Sequence, residues 1–166
     1  MSIRLSRRQG FFLVAAGCAA AMGFALYAQY VLQLEPCPLC IFQRVGVISV
    51  GIIALLAALH NPGRTGYRVW AVLGVLAAIG GGAVSVRQLW LQSLPEDMVP
   101  ACGPGLDYLM ETSPLWDVLS KVFKGSGECA KVDWTFLGQA MPFWVAVFFA
   151  GVIVFQLWLA LRKNPA

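Results

Sequence analysis

Charge is scarce in this sequence. Charged side chains make up 12% of its 166 residues while hydrophobic ones make up 59%, against about 25% charged in an average soluble domain. A chain so poor in charge cannot clothe a water-facing surface, so a soluble globular domain is excluded and a bilayer protein is expected. Acids are missing from whole regions: none precedes Glu35, and none lies at 60–68 or 162–166. Histidine occurs once, as His60 in a loop sequence away from the cysteines, and reads as a plain loop residue. A second close cysteine pair is also lacking, since Cys102 and Cys129 each stand alone, which disfavours a four-cysteine zinc site.

What the chain has instead is long apolar runs. They cover about 10–32, 40–59, 69–86 and 142–161, close to the roughly 20 residues a helix needs to cross hydrocarbon. The first would make a helix about 34 Å long, whereas the apolar core of a cleavable signal peptide has only about 7–15 residues. His60-Asn61-Pro62-Gly63 has turn chemistry, and Pro142 suits the first turn of the last helix. Gly74 and the triplet Gly80-Gly81-Gly82 suit close approach of backbones in lipid.

The connecting segments divide by charge. Arg4, Arg7, Arg8, Arg64, Arg68, Arg162 and Lys163 lie on one side with no acid. Arg44, Arg87, Lys121, Lys124 and Lys131 lie on the other with all eight acids, giving the net +4. Positive charge stays inside, so both termini are expected in the cytoplasm and the loops at 33–39 and 87–141 outside. Such segregation points to lipid rather than to nucleic acid. Within the long loop, Leu115, Trp116, Leu119, Val122 and Phe123 recur at helical spacing after Ser113-Pro114 and before Gly125. That predicts a short one-sided helix, lying on the membrane surface or packed on top of the bundle. The expectation is one all-α membrane domain over 1–166, a four-helix transmembrane bundle with a short first and a long second outer loop.

Five cysteines are present. Cys18 falls within the first run and reads as a small buried apolar residue. Cys37, Cys40, Cys102 and Cys129 all fall on the outer face, where an even number reads as two disulfides. Three connectivities are open; the spacing of Cys37 and Cys40 suits a small redox ring, with Cys102 and Cys129 as the other pair. Cys40 opens a helix and Arg44 follows one turn later, and a helix N-terminus and a cation both lower a thiol pKa. Arg44 is the cation that falls well inside an apolar run, where a functional role is the first expectation and snorkelling the second. A two-electron acceptor that lives in the bilayer is a quinone, and a guanidinium would stabilise its oxygens as they gain charge.

The residues Pro36-Cys37-Pro38-Leu39-Cys40-Ile41-Phe42-Gln43-Arg44 resemble the disulfide bond formation protein B (DsbB) family of bacterial inner-membrane thiol:quinone oxidoreductases. So do Ser126-Gly127-Glu128-Cys129-Ala130, Trp134, Phe136-Leu137-Gly138 and Met141-Pro142-Phe143-Trp144, with Cys102 between, and the likeness covers essentially the whole chain. The resemblance implies disulfides Cys37–Cys40 and Cys102–Cys129, and four catalytic cysteines. A DsbA-like periplasmic dithiol protein would attack Cys102, and electrons would pass through Cys129 and Cys37 to Cys40 and on to a ubiquinone or menaquinone held by Arg44. The loops at 33–39 and 87–141 would then be periplasmic, and the role would be electron transport serving periplasmic protein folding. Some relatives carry an acid where this chain has Gln43, and some a histidine near the end of the third span, where this chain reads Arg87 to Ser93 without one. Arg87, Gln88 and Gln92 are candidates to replace them. The vitamin K epoxide reductase group also pairs two close cysteines with a quinone, but places them late in its bundle. A disulfide-stapled membrane scaffold without turnover is the alternative of a different class.

Overall fold

The four apolar runs become four long helices in the computed structural model, which describes residues 6–99, 106–114, 116–118, 120, 127–132 and 134–162. Helix α1 spans Arg7–Tyr30 and starts at a capping box: Ser6 Oγ accepts from the Gln9 amide at 3.2 Å, and the Gln9 side chain accepts from the Ser6 amide at 2.9 Å. Helix α2 spans Pro38–His60 and ends on Asn61 in the left-handed region (φ 44°), immediately before Pro62. Helix α3, Arg64–Gln92, extends beyond its apolar run at both ends and carries Gln88 and Gln92 on its last turns. After it come a 3-10 turn at Glu96–Met98, helix α4 at Leu106–Thr112 and the single turn α5 at Gly127–Ala130. A two-residue hairpin follows, β1 Thr135–Phe136 paired antiparallel with β2 Gln139–Ala140. Its loop residues Leu137 and Gly138 both have positive φ, 51° and 76°, which a tight hairpin turn requires. Helix α6, Met141–Leu161, closes the fold with Pro142 in its first turn.

All four long helices are long and apolar enough to cross a membrane. Their outward residues, such as Ile52, Leu76 and Val154, are exposed, as suits helices whose solvent is lipid. The bundle is a four-helix membrane fold in which α1 packs on α2, α2 on α3 and α3 on α6. Contact between α1 and α6 is slight, so the ring of helices has one loose seam. One apolar cluster fills the middle of the bundle, with Phe11, Val50, Ala54, Ala78, Phe149 and Leu159 fully or almost fully buried. A second, smaller one, with Leu39, Val84, Leu91, Val118 and Cys129, fixes the turn α5 against the ends of α2 and α3.

Glycine does what lipid-phase packing demands at two positions. A Cβ on Gly81 would collide with the ring of Phe149, and one on Gly46 would come within 3.0 Å of the Gly81 Cα. Helices α2, α3 and α6 therefore meet at one point with no room for a methyl group. Gly80 faces open space, so the glycine triplet serves packing through its middle member. Of the short helix expected at 115–124, residues 116–118 and 120 are helical and Val118 is buried; the rest of it lies outside the described residues. Trp116 is 80% exposed.

Candidate active site

Cys37 faces Cys40 because of how α2 begins. Pro38 sits in the first turn and Cys37 is the N-cap, at φ −65° and ψ 161°. Its sulfur takes the place usually filled by a Ser or Asp oxygen and accepts from the Cys40 amide at 3.3 Å. The spacing of the two cysteines is thus the spacing from a cap to the amide it caps, and it leaves their sulfurs 2.7 Å apart. The two are free thiols in contact.

A third sulfur joins them. Cys129, 1% exposed on α5, hydrogen-bonds with Cys37. Cys37 therefore has a thiol on either side. The hydrogen bond with Cys129, that with Cys40, and burial together push its ionisation well above the ordinary thiol range.

Two buried glutamines stand behind the pair. Gln88 of α3 is 3% exposed and Gln43 of α2 is 5% exposed. The Gln88 Nε2 donates to Cys37 Sγ at 3.3 Å and to Cys40 Sγ at 3.5 Å. Its Oε1 accepts from Gln43 Nε2 at 2.6 Å and from the Cys40 thiol at 3.7 Å.

One turn below Cys40, Arg44 reaches across to α1. Its Nη1 donates to Gln29 Oε1, and its Nη2 to the Ala25 carbonyl at 3.1 Å. Both acceptors are neutral, and among the described residues the guanidinium has no carboxylate paired with it. Cys37, Cys40, Gln43, Arg44, Gln88 and Gln92 all line one cavity of about 530 Å³ between α1, α2, the end of α3 and α6, on the side of the loose seam. Aromatic rings form its outer wall: Phe24 against Trp134, Trp134 stacked on Phe136 and Phe136 edge-on to Trp144, with centroids 5.7–6.0 Å apart. The Trp144 indole donates to the Phe136 carbonyl at 3.1 Å, pinning the hairpin to α6.

Of the residues singled out from sequence, Cys37, Cys40, Cys129 and Arg44 converge here. Cys102, and with it any bond to Cys129, lies outside the described residues. Arg87 lies over the Trp90 ring, 4.1 Å from its centroid, and is not part of the cavity wall. Cys18 is 3% exposed and packs against Gly51. Two further residues of the site, Gln29 and Phe24, were not singled out from sequence. A polar residue in a span was the available signal for Gln29; nothing in the sequence marked Phe24.

The model of the family described as disulfide bond formation protein DsbB matches residues 7–159. The chain belongs to the DsbB family. Similar proteins are named disulfide bond formation protein B. That from Chromobacterium violaceum is 68% identical, with 99% of both chains covered. That from Hahella chejuensis is 53% identical over 89% of both. The Acinetobacter baylyi protein is 50% identical, over 87% of this chain and 85% of its own. DsbB-family membership implies disulfide bond formation, an oxidoreductase role.

Proposed function

We propose that this DsbB-family chain is a thiol:quinone oxidoreductase of the bacterial inner membrane, which reoxidises a DsbA-like periplasmic dithiol protein. The observation that carries the reading is the position of Cys37, in contact with the Cys129 thiol on one side and the Cys40 thiol on the other. That is the geometry of a relay. The partner's thiolate attacks Cys102 of a Cys102–Cys129 disulfide and Cys129 leaves as thiolate. Cys129 then attacks Cys37 of a Cys37–Cys40 disulfide; the Cys129–Cys37 bond forms, the Cys37–Cys40 bond breaks, and Cys40 leaves carrying the electron pair. When the partner's second thiol resolves the first mixed disulfide, the partner departs oxidised and Cys102 leaves as thiolate. Cys102 then attacks Cys129, which restores the Cys102–Cys129 bond, breaks the Cys129–Cys37 bond and leaves Cys37 and Cys40 reduced.

The residues around Cys40 fit a quinone. A cavity of about 530 Å³ is within the usual size for small-molecule sites, and its walls are apolar and aromatic. Arg44 supplies positive charge where a carbonyl oxygen would gain electrons. Gln92 lines the same cavity, and its buried Oε1 has no hydrogen-bond partner among the described residues, which suits it to accept from a hydroxyl. A bound quinone supplies an acceptor for two electrons and two protons; the protein's residues bind it, orient it and keep the Cys40 sulfur beside it. The test is to mix purified protein with a reduced DsbA-like protein and a soluble quinone and to follow quinone absorbance. Thiol-dependent reduction that stops in Cys102→Ser is expected. Its absence from the unaltered protein would leave a disulfide-stapled scaffold as the better reading.

A further inference from the structure

The relay ends with negative charge on the Cys40 sulfur, inside a largely apolar cavity where an unpaired anion is costly. The Cys40 backbone amide cannot solvate it, because that donor is committed to capping by Cys37. Among the described residues, the remaining donor at both sulfurs is the Gln88 amide nitrogen, 3.3 Å from Cys37 Sγ and 3.5 Å from Cys40 Sγ. An amide nitrogen carries two hydrogens, one for each sulfur. While Cys40 is a thiol it donates to Gln88 Oε1 at 3.7 Å; as a thiolate it has no proton to give, and only the Nε2 end can serve it. Gln43 favours that end: its own Nε2 donates to Gln88 Oε1 at 2.6 Å, which keeps the oxygen an acceptor and leaves the nitrogen to the sulfurs. Both side chains are almost wholly buried, and water does not compete for either end.

We propose that Gln43 and Gln88 form a thiolate clamp, in which Gln88 is a catalytic residue that receives the charge on Cys40 and Gln43 is the positioning residue that fixes its orientation. The proposal deepens the thiol:quinone reading and rests on it. It also accounts for an amide at position 43 where some relatives carry an acid. The position has to donate, which an amide does at every pH and a carboxyl only while protonated. No atom or electron moves through the clamp. It acts when the Cys37–Cys40 bond breaks and Cys40 takes the electron pair, and it stabilises that product.

The experiment uses the full chain in detergent with Gln88→Met, Gln43→Met and the double variant, methionine having nearly the same length and no donor. In each fully reduced protein, the rate at which iodoacetamide labels Cys40 at pH 7 is read by peptide mass. The midpoint potential of the Cys37/Cys40 couple is measured alongside. Gln88→Met should slow Cys40 labelling about tenfold, as for loss of one hydrogen bond to a charged group. It should make the potential more negative by about 30 mV, the same tenfold change for a two-electron couple. Gln43→Met should act in the same direction, and the double variant should be no worse than Gln88→Met alone. Wild-type labelling and potential in Gln88→Met would overturn the clamp. Additive losses in the double variant would overturn the positioning role of Gln43. Neither readout needs quinone or partner protein, so failure of the unaltered protein to reduce quinone overturns the functional reading separately.

Discussion

Arg44 shows how a single residue can be placed by sequence and explained only by structure. An arginine inside an apolar run is costly, and the sequence leaves two uses open, a ligand contact or a side chain reaching for the interface. The structure ties the guanidinium to Gln29 and to the Ala25 carbonyl, across the bundle and on the cavity wall, instead of extending it to the surface. Arg44→Met should therefore raise the KM for quinone about ten- to a hundredfold, the worth of one or two bonds from a charged donor, and change kcat less. An unchanged KM would return Arg44 to a packing role. The thiols divide likewise. Cys37, its proton held by two thiol neighbours and burial, should label with iodoacetamide much more slowly than Cys40 at pH 7. Equal rates for the two would contradict that environment. Cysteine spacing made the pair legible, because capping geometry is local in sequence. Which glutamine meets the sulfurs was not legible: Gln88 lies 48 residues from Cys40, and only the packing of α2 on α3 decides that it, and not Arg87, turns inward.

At the scale of the elements, the same packing depends on the contact where Gly46, Gly81 and Phe149 meet. Without a hydrophobic driving force between helices in lipid, close van der Waals contact has to hold them together. Gly81→Ala puts a methyl group into the Phe149 ring and should destabilise the fold by about 1–3 kcal/mol, as overpacking does. Gly80→Ala, facing open space, should be close to neutral. Thermal unfolding in one detergent compares the two, and equal losses would mean that the triplet acts through backbone flexibility and not through contact. The long helices were legible from the apolar runs alone, since a bilayer leaves the backbone few alternatives. The outer elements were not. The 3-10 turn, α4 and the hairpin lie in a polar stretch whose short segments lack a readable period, and the Leu137-Gly138 turn does without the usual Asn-Gly.

For the molecule as a whole, the question is which way the site faces. The thiols sit where α2 begins, and His60 at the opposite end of the same helix. The cation-rich segments therefore lie at the end away from the site: Arg7 opens α1, Arg64 opens α3, and Arg162 follows α6. Arg7 even donates to the Arg162 carbonyl at 2.6 Å, joining the first and last helices there. Charge of one sign at one end favours insertion with that end in the cytoplasm, and the proposed function needs the thiols and the hairpin on the oxidising side. Orientation matters to function because a disulfide relay facing the reducing cytoplasm would be kept as dithiols. Two exposed positions at opposite ends report it. In right-side-out spheroplasts, an impermeant maleimide should label Trp116→Cys without lysis. Gly63→Cys, between α2 and α3, should label only after the membrane is opened. The reverse pattern would place the site in the cytoplasm, and a donor drawn from the periplasm would then have no route to Cys37.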